Sequence, residues 1–128
     1  MKYEFWQGES INHEITDILV GMEGTPLENR IVTISRLDQS CRISDLETGE
    51  EVKKIYFERS SPATMAVDKA QTMIAIGNFK KVTFFDTTNF AKVKEVALND
   101  LVRSLAFNKR NDFMIAVTSN GEVHSFKF

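Results

Sequence analysis

Ser40-Cys41-Arg42-Ile43-Ser44-Asp45-Leu46-Glu47-Thr48-Gly49 reads as a short strand running into a tight reversal. Its first half holds small and β-branched residues, and its second half supplies the aspartate, hydroxyl and glycine that turns require. Val82-Thr83-Phe84-Phe85-Asp86-Thr87-Thr88-Asn89 repeats the phrase, with Asp86 standing 41 residues after Asp45. Val123-His124-Ser125-Phe126-Lys127 repeats it again at the same step of 41 residues, with Lys127 in the aspartate's place. A fixed period of about 40–45 residues is the span of a four-stranded repeat unit.

Outward from these phrases the chain reads as further strands. The runs are 15–22, 30–36, 41–46, 51–57, 64–68, 73–77, 81–86, 91–98, 102–108, 113–119 and 122–128, rich in Val, Ile, Phe and Thr. Turn signals separate them: Glu47-Thr48-Gly49-Glu50, Asp68-Lys69-Ala70-Gln71, Thr87-Thr88-Asn89 and Asn120-Gly121 among others. Only residues 11–22 compete as a helix, through Ile15, Ile18, Leu19 and Met22 at three- and four-residue spacing. No cap closes that segment, and strand is the expectation. The period also aligns Val32-Thr33-Ile34-Ser35 with Met73-Ile74-Ala75-Ile76 and then Met114-Ile115-Ala116-Val117.

Ser40–Gly49 resembles the WD40 phrase that ends in Trp-Asp, with Ser44 in the tryptophan position; Phe85 holds that position in the second copy. Asn12-His13 is similar to the Gly-His that opens such a repeat. The resemblance covers nearly the whole chain and implies an all-β fold of WD40-like β-propeller blades, about three four-stranded antiparallel sheets forming a partial propeller. Within the family, Thr48–Ile55 and Phe85–Lys94 are similar to blades of the kinase-receptor-associated propellers and the related translation-initiation-factor subunit. The expected division is a closing strand in 1–10, blade one in 11–58, blade two in 59–98 and an incomplete blade three in 99–128. Lys2–Trp6 alternates like a strand and is a candidate to complete blade three in a second copy of the chain.

The bulk numbers fit this reading. The 128 residues are 42% hydrophobic and 27% charged, with a net charge of −2. That balance suits one globular domain and gives nucleic acid no broad basic footprint. Cys41 is the single cysteine, which excludes an intrachain disulfide and a multi-cysteine zinc site. The N-terminal stretch lacks the apolar core of a secretion signal, and no window offers the roughly 18 apolar residues of a membrane helix. A cytoplasmic setting is expected, with the nucleus as the alternative.

No catalytic, cofactor-binding or metal-binding constellation is expected. His13 and His124 fall in different repeats and read as structural or surface residues. Asp45 and Asp86 share a repeat position and read as turn formers rather than an acid–base pair. Cys41 reads as a small packed side chain, and Trp6 as a packing residue of the closing strand, with a partner anchor as the alternative. Lys53-Lys54, Lys80-Lys81 and Lys109-Arg110 read as solvated charges that protect sheet edges.

The family resemblance implies a non-enzymatic platform for protein partners, with contacts on the loops between blades. The candidate contact residues are Arg36, Arg59, Phe79 and Lys80, since arginine and aromatic side chains dominate interface energies. The partners expected are proteins, with a second copy or a larger complex completing the propeller; no membrane or cofactor is expected, and nucleic acid is not indicated. Two rivals stand beside this reading. An RNA-associated or translation-related subunit would gather basic residues on one face. A propeller enzyme would need polar first strands, whereas Thr64–Val67 and Ser104–Phe107 are mostly apolar.

Overall fold

The computed structural model describes residues 15–57, 60–108 and 113–127. Within them lie eleven antiparallel strands: β1 (Ile15–Val20), β2 (Arg30–Ser35), β3 (Ser40–Asp45), β4 (Glu51–Tyr56), β5 (Thr64–Val67), β6 (Met73–Asn78), β7 (Lys81–Asp86), β8 (Lys92–Ala97), β9 (Val102–Phe107), β10 (Phe113–Thr118) and β11 (Val123–Lys127). They form three sheets in the orders β1-β2-β3-β4, β5-β6-β7-β8 and β9-β10-β11. Each neighbour in a sheet is also the neighbour in sequence, so every sheet is a meander of local hairpins. The helical alternative for 11–22 gives way to strand β1 over its described residues. Lys2–Trp6, Trp6 and His13 lie outside the described residues.

The turns show why these runs fold back. Asp45 Oδ1 accepts the backbone N–H groups of Glu47 (2.9 Å) and Thr48 (3.0 Å), and Asp86 Oδ1 accepts that of Thr88 (2.8 Å). The Asp45 carbonyl accepts from Gly49 at 2.9 Å and the Asp86 carbonyl from Phe90 at 2.6 Å, so the two turns are copies. Gly49 takes φ of 76° there and Phe90 takes 56°. The second copy thus tolerates a left-handed phenylalanine, whose side chain packs against the core. Asp68 does the same in the preceding hairpin, accepting from the N–H groups of Thr72 (2.7 Å) and Met73 (3.0 Å).

Pairing within the sheets corrects one sequence alignment. Arg30 pairs with Asp45, Met73 with Asp86 and Phe113 with Lys127. Val32 is therefore equivalent to Ala75 and Ile115, not to Met73 and Met114. The third-strand phrases keep their common step, whereas the second strands shift with the turn between them. That turn is Arg36–Gln39 in the first sheet, only Phe79–Lys80 in the second, and Ser119–Gly121 in the third. A slip of one residue exchanges the two faces of a strand, so the corrected register decides which side chains are core.

Two cores separate the three sheets. Val32, Ile34, Cys41 and Ile43 of the first sheet meet Met65, Ile74, Ile76 and Phe85 of the second. Ala75, Val82 and Phe84, on the other face of the second sheet, meet Val102, Leu105, Met114 and Ala116 of the third. Gly77 permits this second approach: a Cβ there would lie 2.6 Å from Val102 Cγ1. The first-to-second-strand connection of the first sheet (residues 21–29) folds back so that Leu27 is fully buried in the first core. Gly21 makes room, because a Cβ on it would overlap the Leu27 carbonyl oxygen.

Candidate interaction surfaces

The hairpin turns joining second to third strands all emerge at one end of the stacked sheets. Arg36 is exposed in the first of them, and its backbone N–H donates to Thr16 Oγ1 at 3.1 Å. Leu37 beside it is 64% exposed. In the second turn Phe79 is also exposed, and Lys80 Nζ sits 5.2 Å from its ring centroid, a cation–π pair. Ser60, from the connection between the first and second sheets, ties into this turn by accepting the Phe79 N–H at 3.0 Å. Phe79 and Lys80 are thus brought together, and Arg36 occupies the matching turn one sheet away. Arg59 lies outside the described residues.

Asp38 shapes the first turn. It accepts the Ser40 hydroxyl at 2.6 Å and the Arg42 guanidinium at 2.8 Å, with Lys54 Nζ at 3.7 Å. The Ser40 hydrogen bond and then the Arg42 contact hold its carboxyl down at about 2. Asp45 is likewise lowered, chiefly by the Thr48 N–H. Both aspartates serve as turn and ion-pair anchors. Cys41 is fully buried, and burial pushes its thiol up to about 12, which makes it a poor nucleophile. His124 lies 3.6 Å from Glu122 at the third turn. Among the described residues no group of three or more His, Cys, Asp or Glu side chains converges as a metal site.

The two ends of the stack differ from its middle. Among the described residues no sheet covers the outer face of the first sheet, where Ile18, Val20 and the adjoining Met22 are each about half exposed. Nor does one cover the outer face of the third sheet, where Ile115 and Val123 are exposed. The equivalents of Ile18, Val20, Ile115 and Val123 in the second sheet (Met65, Val67, Ala75 and Val82) are buried or half-buried between sheets.

Two features escape sequence reading. Gln71, an ordinary turn residue by type, is buried at 3% exposure with a left-handed φ of 55°. Its Oε1 accepts Met22 N–H (2.7 Å) and Thr25 Oγ1 (3.1 Å), and its own carbonyl accepts Thr87 Oγ1 at 2.5 Å, so it staples the first sheet to the second. The other is a cleft of about 340 Å³ between the same two sheets, walled by Ile55, Tyr56, Phe57 and Phe85. Asn78 and Thr83 form its floor, and Lys81, Lys92 and Glu95 its rim.

No protein-family model and no curated protein sequence matches the chain. Solved structures do match its shape. The RRP9 WD40 repeats align with a TM-score of 0.81 at 18% identity, covering 93% of this chain and 37% of that one. The structure of U3-55K gives the same values. Sqt1 of Saccharomyces cerevisiae aligns with a TM-score of 0.77 at 18% identity, over 91% of this chain and 32% of its own. The chain spans about a third of the length of these structures. Its three antiparallel sheets of four, four and three strands therefore correspond to a portion of a WD40 propeller.

Proposed function

We propose that this chain is a non-enzymatic interaction platform, whose WD40-like blades are completed by, and present loops to, protein partners. The observation that carries the reading is the pair of uncovered blade faces. Every face between blades within the chain buries a core, whereas Ile18 and Val20 at one end and Ile115 and Val123 at the other stand in water. Such apolar sheet faces favour covering by another sheet.

A second copy is the occupant that the repeat geometry favours. The outer face of the third blade is equivalent in register to the face of the second that packs on the third. The outer face of the first is likewise equivalent to the face of the second that packs on the first. Two copies joined at both ends would make a six-bladed ring, set in the cytoplasm by this reading. The turns carrying Arg36, Phe79 and Lys80 then form a rim for further partners. Light scattering at micromolar concentration tests the assembly. A particle of twice the chain mass is expected, and a well-behaved monomer overturns the second-copy arrangement.

A further inference from the structure

The cleft between the first and second blades is where the middle blade departs from its neighbours. Ser35, Asn78 and Thr118 occupy the same position, the last residue before the second-to-third-strand turn. In the first blade Ser35 Oγ accepts the Asp38 N–H at 3.1 Å. In the third, the Thr118 hydroxyl engages Asn120 and the Glu122 carbonyl. Those turns are four and three residues long, and they or the residue just after them supply these partners. The turn after Asn78 has only Phe79 and Lys80, and Asn78, 1% exposed, finds no protein partner for either Nδ2 or Oδ1.

A second position repeats the contrast with the first blade, where Arg42 binds Asp38; in the third blade His124 Nε2 lies 3.6 Å from Glu122 and makes no hydrogen bond. Their equivalent Thr83 is 2% exposed with its hydroxyl unpartnered. Two buried polar side chains thus share the floor of one cleft with their hydrogen bonds unmade, where buried polar groups as a rule are satisfied.

Their chemistry specifies a complement. Asn78 offers a donor and an acceptor together, and Thr83 offers either. A carboxylate has no proton for Asn78 Oδ1, and an ammonium has no lone pair for Nδ2; a primary amide has both. The rim cations Lys81 and Lys92 each lie 3.2 Å from Glu95 Oε1, so they are already engaged, and these two contacts hold the Glu95 carboxyl below its ordinary range. Ile55, Phe57 and Phe85 provide an apolar wall for a methylene stem.

We propose that this cleft seats a carboxamide side chain, glutamine or asparagine, of a partner polypeptide. The proposal rests on the platform reading and names the chemistry of one of its contacts. It is tested by two-dimensional NMR of the ¹⁵N-labelled chain titrated with capped peptides acetyl-Gly-X-Gly-N-methylamide, where X is Gln, Asn, Ala or Glu. The readout is the Asn78 side-chain NH₂ signal. The Gln or Asn peptide is expected to shift it saturably, with affinity about tenfold above the Ala and Glu peptides, the scale of one or two net hydrogen bonds. Asn78→Leu and Thr83→Val, each confirmed folded by its amide spectrum, should abolish that preference, the first read through the Thr83 and Phe85 amides. Equal shifts with the Ala peptide, tighter binding of the Glu peptide, or no shift with a long-lived water at Asn78 would each overturn it. A silent cleft in a chain that still assembles or binds partners through its rim leaves the platform reading intact and removes only this contact.

Discussion

The middle blade and the two end blades are built from one repeat, yet they bury their strands differently. Residues 74–78 of β6 and 82–85 of β7 are buried without interruption. In β10 and β11 burial alternates residue by residue, and β1 is largely exposed. A strand covered on both faces reads as a continuous apolar run, and one covered on a single face alternates. The contrast therefore teaches which faces the chain itself covers. It also explains the small residues of β6: Ala75 and Gly77 face the third blade, where Phe84 takes up the space between sheets.

Substitution at equivalent positions should break this contrast. Phe84 is 1% exposed between the second and third blades, so Phe84→Ala is expected to cost about 3–5 kcal/mol in urea unfolding. A loss below about 1 kcal/mol would mean that the third blade does not dock as described. A middle-sized effect belongs to Asp38, at the outer edge of the first blade's uncovered face. Its carboxyl is lowered in the folded chain to about 2. Its contribution is thus fully present above the unfolded value near 4 and is lost as pH falls through about 2. After solvent screening this amounts to about 1 kcal/mol, and Asp38→Asn should flatten the corresponding acid limb of stability between pH 4 and 2. The smallest effect on folding is expected at Val123, which is 68% exposed. Val123→Thr should change unfolding by less than about 0.5 kcal/mol while weakening self-association in a dilution series. An unchanged association constant would take that face out of the assembly.

Much of this contrast is legible in the residues. The strand-forming runs, the turn aspartates Asp45 and Asp86 and the common step of the third strands follow from local chemistry, and the structure contains each of them. The register of β2, β6 and β10 does not follow. It depends on the lengths of three hairpin turns, and sliding similar apolar runs by one or two residues leaves the sequence match almost unchanged. Gln71 is hidden for another reason: its partners Met22 and Thr25 are 49 and 46 residues away, and only the docking of two sheets brings them together. The floor of the cleft escapes notice because Asn78 and Thr83 are ordinary strand-end residues by type. Only comparison with Ser35, Thr118 and Arg42 in place shows that the middle blade leaves them unpaired. Of the candidate contact residues, Phe79 and Lys80 stand out by turn position and chemical type, and the structure adds that they touch.

The Gln71 staple has a consequence for how the chain opens. In a row of repeats, cooperativity resides in the couplings between neighbours, since each repeat alone is a few local hairpins. The Met22 N–H is closed by a side chain of the second blade rather than by its own sheet. Its hydrogen exchange therefore registers separation of the first two blades, while amides in the β2–β3 ladder wait for the first blade itself to melt. One backbone proton distinguishes a row of blades that parts at its seams from one that unfolds as a unit.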